Sequence, residues 1–300
     1  SYLRNEKGQH QYPRFEFFQQ MVDLFRTTGK VAPIFCDKHL SWKWEWARQM
    51  YEQSVELGIP FMAGSSLPVT WRIPQIDMPL GAEVEEAICI CAGGIDGGDI
   101  HALEALQCMV ERRAGGEHGV VWLETYRDER FWEAHHSGVW PQDLFAAALC
   151  RSHTLGSDRP GFNHVYPTID EMKRLCNPVA YTFRHVDGIK STIMLMNGLV
   201  EDFNFAARIA GQDRVLSTQM YLPMPPAHTT LANFFSPQVH HVERMFLTGK
   251  PSYPVERTLL TTGLTAAGVD SLYLGGKRVQ TPHLEQITYQ PNPKSTYWRT

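Results

Sequence analysis

The sequence predicts an α/β protein in which a short parallel-sheet unit is followed by an α+β region. Residues 31–64 read as an apolar run, a helical pattern and a second apolar run. Strand, helix and strand in this order form a crossover unit, whose two strands run parallel. Beyond residue 81 strands and helices come in groups, and the Asp187-Gly188 pair is typical of a tight hairpin turn. This second region is therefore expected to hold an antiparallel or mixed sheet with helices packed on it.

The parallel unit is predicted to begin after a polar loop at residues 1–13. The apolar positions Phe18, Val22 and Phe25 follow helical spacing, and Gly29 is placed to end that helix. Residues 31–36 are almost wholly apolar, as in a strand covered on both faces. The first strand of the unit therefore follows a helix.

The crossover helix of this unit is expected to be capped by Ser41 and to end at Gly58. We expect it to bury Ala47, Met50, Tyr51 and Val55. The second strand is predicted at residues 59–63 and ends at Gly64.

An irregular segment with three prolines spans residues 64–81 and is predicted to connect two units. The second unit is predicted to contain strands at 83–92, 120–126, 180–186, 189–196, 203–209 and 215–222, and helices at 101–113, 129–136, 141–150 and 256–273, with two more beginning at Thr168 and Ser236. Thr168 and Glu171 form a capping-box pattern.

The composition excludes several classes of protein. The chain has 28 Lys and Arg residues against 32 Asp and Glu residues, a net charge of −4. It therefore lacks the excess of positive charge that is typical of proteins that bind nucleic acid or anionic membranes. No apolar run reaches the roughly 18 residues that a membrane span needs. The six cysteines lie in apolar settings without metal-ligand spacing, so we expect buried thiols, no metal site and a cytoplasmic location.

Lys38 is the first candidate for chemistry. It follows the first predicted parallel strand, and sheets of this type bind ligands at the carboxyl ends of their strands. An ammonium group there can hydrogen-bond a substrate hydroxyl or a cofactor oxygen. The alternative is an exposed loop lysine.

A glycine-rich segment at residues 93–101 is the second candidate. Its glycines would allow the backbone to approach a ligand, and Asp96 and Asp99 precede His101 at the start of a helix. A histidine oriented by an aspartate is a common general base. Alternatively, Asp99 caps the helix and His101 is structural.

The third candidate is the segment 64–72, which leaves the second predicted strand. It contains Ser65, a candidate for substrate binding. Its Trp71 and Arg72 are suited to bind a sugar or a carboxylate, or simply to fix the connection. The segment lacks the G-x-S-x-G pattern of a serine hydrolase.

Residues 29–41 (GKVAPIFCDKHLS), the helix after them and residues 58–64 resemble the glucose–fructose oxidoreductase/inositol dehydrogenase/MocA-like (Gfo/Idh/MocA) family. The resemblance extends more loosely through residues 101–104 and the last predicted helix. It implies the C-terminal half of a Rossmann-like domain at residues 1–80, followed at 81–300 by an α/β domain with an open, largely antiparallel sheet. It also implies that the glycine-rich half of the cofactor domain lies before Ser1.

The resemblance assigns roles to individual residues. Lys38 matches the family's lysine that binds the reacting hydroxyl, and His101 matches the histidine proposed as acid/base, with Asp99 or Asp96 as its partner. Lys38, Asp37 and Gly64 would contact the cofactor, which is NAD or NADP. Asp37 stands where the family has glutamate, and His39 where it has proline.

The function implied is an NAD(P)-dependent oxidation of a hydroxyl of a sugar, glycoside or cyclitol, with Ser65, Trp71 and Arg72 positioning the substrate. A homo-oligomer formed through the C-terminal sheet is expected. Two other hypotheses remain at this point. One is a redox-neutral lyase, hydrolase or epimerase that retains NAD, and the other is a non-catalytic structural subunit of an assembly.

Overall fold

A computed structural model of the chain describes residues 2–156, 166–224 and 233–299. The helices are α1 (Arg14–Thr28), α2 (Trp44–Glu56), α3 (Asp99–Val110), α4 (Glu129–His136), α5 (Gln142–Leu149), α6 (Ile169–Leu175), α7 (Ser236–Thr248) and α8 (Glu256–Tyr273). The strands are β1 (Ile34–Asp37), β2 (Phe61–Gly64), β3 (Trp71–Ile73), β4 (Val84–Cys91), β5 (Val120–Arg127), β6 (Val179–His185), β7 (Lys190–Leu195), β8 (Phe203–Ile209), β9 (Leu216–Tyr221) and β10 (Val279–Gln280).

The predicted crossover unit is confirmed: β1 and β2 pair in parallel, with Asp37 opposite Gly64, and α2 connects them. Gly29 ends α1 in the left-handed conformation, as its sequence position indicates. Two details are corrected. The N-cap of α2 is Lys43 rather than Ser41, whose hydroxyl instead accepts the Lys43 amide hydrogen at 3.3 Å. Val55 is exposed, because it lies on the solvent side of α2.

The large sheet has the strand order β10-β5-β6-β7-β4-β8-β9-β3. Among the described strands of this sheet only the β4–β7 pair is parallel and the other pairs are antiparallel, which confirms the predicted mixed and largely antiparallel architecture. The predicted connecting segment at residues 64–81 is not irregular throughout, since it contributes the edge strand β3, which pairs with β9. The division into domains at residue 80 stays a prediction.

Both faces of the large sheet are covered by helices of the same chain. Residues of β4 point alternately to the two sides, and Cys89 and Cys91 join a core with α3 and α8. Ile88 and Ile90 join a second core with side chains of α4, α5 and α6, including Trp140 and Phe145. The expected homo-oligomer through this sheet stays a prediction.

The expected buried thiols are confirmed for four cysteines and wrong for two. Cys89, Cys91, Cys108 and Cys176 are buried, whereas Cys36 is half-buried and Cys150 is exposed at the end of α5. No helix among residues 2–156, 166–224 and 233–299 is long and apolar enough to cross a membrane.

Candidate functional site

The candidate site lies where β1, β2 and α3 meet. Lys38 directly follows β1, Ser65 directly follows β2, and His101 lies in the first turn of α3. The backbone N–H of Lys38 donates to the carbonyl of Gly64 at 3.1 Å, which fixes the two strand ends against each other. Because parallel strands end at the same edge of a sheet, their final residues are adjacent although they lie far apart in the chain.

A hydrogen bond between Ser65 and His101 links the end of β2 to the start of α3. The hydroxyl Oγ of Ser65 lies 2.7 Å from Nδ1 of His101, and it also accepts the Leu67 backbone N–H at 3.2 Å. Burial, together with the positive charge of Lys38, lowers the pKa of His101 to about 4. The imidazole is therefore neutral at pH 7, with Nδ1 held by a hydroxyl.

Lys38 adopts a backbone conformation that side chains other than glycine rarely take, with φ of 63°. Such conformations concentrate at functional sites, where the surrounding structure holds them in place. The side chain is half-buried and forms no ion pair with any residue that the structure describes. A cation without a carboxylate partner at the end of a parallel strand is suited to bind an oxygen of a ligand.

Asp99 does not hydrogen-bond to His101, contrary to the expected pairing. Its fully buried carboxylate accepts the backbone N–H groups of Asp96, Gly97 and Ile100 at 2.8 to 3.1 Å, and the hydroxyl of Tyr181 at 3.0 Å. Burial raises the pKa of Asp99 to about 6. This carboxylate organises the start of α3, the alternative that the sequence left open.

Asp96 does not hydrogen-bond to His101 either. It binds His10, whose backbone N–H donates at 2.5 Å and whose Nδ1 lies 3.1 Å from the same carboxylate oxygen. Burial raises the pKa of Asp96, and the contacts from His10 oppose that rise. In the glycine-rich loop, Gly93 and Gly98 lie against each other, whereas a Cβ on Gly94 or Gly97 would meet no atom within 4 Å. The expected approach of this loop to a ligand stays a prediction.

Three further side chains at the site come from the N-terminal loop, the start of α1 and the residues after β1. The guanidinium of Arg14 lies 3.3 Å from Nε2 of His39, and the ring of Tyr12 meets the His39 ring edge-on at 5.8 Å. The pKa of His39 is lowered to about 3, mainly by burial and in addition by the positive charges of Arg14 and Lys38.

His10, His39 and His101 therefore surround one small region. No sequence pattern indicates a role for His10, which lies in a polar stretch 86 positions from Asp96. His39 was noticed only as a departure from a family pattern. Among the described residues there is no group of three or more histidine, cysteine, aspartate or glutamate side chains placed to hold a metal ion.

Arg72 is not part of this group of residues. Its buried guanidinium pairs with Asp77, donates to the carbonyl of Ile76 at 3.2 Å and lies 4.5 Å from the ring centroid of Tyr297. Trp71 pairs with Tyr221 in the sheet and meets the ring of Trp298 edge-on. Both are occupied by structural contacts, which fits the alternative that they fix the connection.

Gly64 and Asp37 lie at the strand ends, as expected. A side chain at Gly64 would place its Cβ 2.5 Å from Oε2 of Glu104, so this glycine is required by packing against α3. Asp37 is exposed beside Lys38. Neither observation tests their expected contact with a cofactor.

No protein-family model and no curated protein matches the chain. Solved structures do match. GenD2 from gentamicin A biosynthesis, in complex with NAD, is 10% identical, with 90% of this chain and 76% of that chain covered and a TM-score of 0.56. A probable dehydrogenase from Thermotoga maritima is 11% identical, with 90% and 78% covered and a TM-score of 0.51. Myo-inositol 2-dehydrogenase from Lactobacillus plantarum is 11% identical, with 89% and 77% covered and a TM-score of 0.50.

At sequence identities this low, the similarity to these structures shows the fold alone. They agree with the βαβ unit and the mixed sheet described above, and they confirm the fold that the sequence resemblance implied. The chain has the fold of the Gfo/Idh/MocA-type oxidoreductases.

Proposed function

We propose that this protein is an NAD(P)-dependent oxidoreductase that acts on a hydroxyl group of a sugar, glycoside or cyclitol. The observation that carries the proposal is the meeting of Lys38, Ser65 and His101 at the carboxyl ends of β1 and β2. Ligands of α/β sheets bind at this edge. The fold shared with GenD2, which was solved with NAD, supports the same class of reaction.

The described residues fit the reactive end of a nicotinamide cofactor. Lys38 supplies an ammonium group without an ion-pair partner among the described residues, and Ser65 and His101 supply polar groups beside it. Neither β1 nor β2 leads into a G-x-G-x-x-G turn, so the residues for the pyrophosphate are not among those described. When bound, the cofactor supplies the hydride acceptor.

Lys38 and His101 act on different atoms of the substrate hydroxyl, Lys38 on its oxygen and His101 on its proton. The ammonium of Lys38 donates a hydrogen bond to the hydroxyl oxygen and stabilises the negative charge that develops there. With Nδ1–H donated to Ser65, Nε2 of His101 has a free lone pair that takes the hydroxyl proton. Burial makes His101 a weak base. Proton removal by His101 therefore requires Lys38 to stabilise the negative charge that develops on the hydroxyl oxygen.

The direct test is the absorbance of NADH or NADPH during incubation of the purified protein with a panel of sugars, glycosides and cyclitols. We expect Lys38→Ala and His101→Ala each to lower kcat by about 10²-fold or more. Lys30→Ala, which removes an exposed lysine at the end of α1, is the matched control and should keep full activity.

Normal turnover by both variants would refute the assigned roles. Failure of the unaltered protein to bind either NAD or NADP in a calorimetric titration would refute the cofactor. Ser65→Ala is expected to reduce kcat more than KM, because Ser65 orients His101 and does not itself meet the substrate in this scheme.

A further inference from the structure

A cleft lies between α7 and the C-terminal segment at residues 292–299. Its volume is about 750 Å³. One wall is formed by residues of α7 and of the turn after it, from His240 to Ser252, and the other wall by that segment. This volume is in the range of about 300 to 1,000 Å³ that small-molecule sites occupy. The cleft shares no residue with the candidate site around Lys38.

The side chains lining the cleft are strongly basic. Arg244, Lys250, Lys294 and Arg299 contribute four cationic groups, and no aspartate or glutamate is among the described lining residues. None of the four forms an ion pair within the part of the chain that the structure describes. The whole chain has a net charge of −4, so this concentration of positive charge is local. We refer to it as the basic cleft.

The wall formed by the C-terminal segment is fixed in place at several points. Asn292 donates to the carbonyl of Ser252 at 2.8 Å, and the backbone N–H of Trp298 donates to the carbonyl of Val69 at 2.9 Å. Nε2 of His241, on α7, donates to the carbonyl of Thr296 at 2.9 Å. The segment is therefore held by hydrogen bonds both to α7 and to the rest of the molecule, so both walls of the basic cleft have defined positions.

The remaining lining groups suit the other parts of a phosphorylated ligand. The hydroxyl group of Ser252 lines the cleft beside the cations and can hydrogen-bond to a ligand, whereas the hydroxyls of Thr248 and Ser295 already donate to the carbonyl of Arg244 and to Asp77. The rings of His240 and Trp298 lie 5.2 Å apart and give an aromatic surface at one end. Guanidinium and ammonium groups are the side chains that proteins use most for phosphate.

We propose that the basic cleft binds a small molecule that carries two or more phosphate groups. One anionic group would leave most of the four cations unpaired, whereas a di- or triphosphate engages several at once. A nucleic acid is a poorer match, because a polymer would extend past the cleft onto a chain of net negative charge.

The test is a calorimetric titration of the purified protein with ATP, with inorganic pyrophosphate and with adenosine, at low and at physiological salt. We expect ATP and pyrophosphate to bind, adenosine not to bind, and added salt to weaken binding. The double variant Arg244→Gln/Lys294→Gln should weaken ATP binding at least tenfold. Both residues are exposed, so the fold should be retained, which circular dichroism checks.

The double variant Lys30→Gln/Lys277→Gln removes two exposed lysines outside the cleft and should bind ATP as the unaltered protein does. The proposal is overturned if both double variants weaken binding equally, because the attraction would then be general. It is also overturned if neither ATP nor pyrophosphate binds at low salt, or if a single-stranded oligonucleotide binds more tightly than ATP.

Discussion

His39 shows how the candidate site affects the stability of the fold. Its ring is buried beside Arg14 and close to the charge of Lys38, and burial is the main reason that its pKa falls to about 3. An unfolded chain would protonate the same imidazole near its ordinary pKa of 6.5. The contribution of His39 to the free energy of unfolding is therefore fully present above pH 6.5, and it decreases as the pH falls from 6.5 toward 3.

We predict that His39→Phe makes the protein less sensitive to mild acid. With this pKa shift, lowering the pH from 7 to 5 reduces the free energy of unfolding by about 2 kcal/mol. Phenylalanine does not titrate, so this loss is absent from the variant. The ring against Tyr12 is kept. Urea denaturation of both proteins at pH 7 and pH 5 measures the change, and an equal loss of stability in the two proteins would contradict the prediction.

The residues of the candidate site could be predicted from the sequence only in part. Lys38 and Ser65 were found because each directly follows an apolar strand, and His101 because it opens a helix. That Ser65 rather than an aspartate is the partner of His101 was not predicted, because Asp99 accepts nearby backbone N–H groups, which a sequence pattern does not reveal. His10 depends on where the N-terminal loop lies, which only the folded chain determines.

At the scale of elements, the glycines of the loop before α3 differ in how tightly they are packed. A Cβ on Gly98 would lie 2.5 Å from the backbone nitrogen of Gly94, whereas a Cβ on Gly97 would meet nothing within 4 Å. The loop is also held by Asn197, which accepts from and donates to the backbone of Gly93 at 2.8 and 2.6 Å. Close backbone contact therefore determines the loop that carries Asp96.

We predict that Gly98→Ala destabilises the protein by about 1 to 3 kcal/mol, the usual cost of forcing extra volume into a packed region. Gly97→Ala is the matched control and should change the unfolding free energy by less than about 0.5 kcal/mol. Urea denaturation measures both variants. Equal effects of the two substitutions would show that the contact between Gly93 and Gly98 does not hold the loop.

The elements that sequence reasoning missed or misjudged share a physical cause. Strand β3 has only three residues and is followed by Pro74, so it shows no alternation to detect, and its pairing with β9 is a contact across the fold. Helices α4 and α5 were predicted as helices, but which face of the sheet they cover is decided by tertiary packing. Long periodic elements such as α8 were predicted with the residues that the structure gives them.

At the scale of the whole molecule, the parallel unit is joined to the large sheet by a continuous apolar core. Phe18 and Phe61 of the parallel unit belong to the same buried cluster as Leu103 of α3 and Leu260 of α8. The backbone N–H of Leu40 donates to the hydroxyl of Thr262 in α8 at 3.0 Å. A core of this kind is shared by the two predicted domains, which argues that they unfold together.

We therefore predict a single unfolding transition for residues 1–80 and 81–300. Pulsed hydrogen exchange with mass spectrometry along a urea titration would follow peptides from β1 and β2 separately from peptides of β5, β6 and β7. We expect the same midpoint for both sets. Leu40→Ala opens a cavity in the fully buried part of the parallel unit and should lower both midpoints together, at a cost of about 2 to 5 kcal/mol. Val55→Ala, at an exposed position of α2, should leave both unchanged. Separate midpoints, or a Leu40→Ala effect confined to the β1 and β2 peptides, would instead establish two independently stable domains.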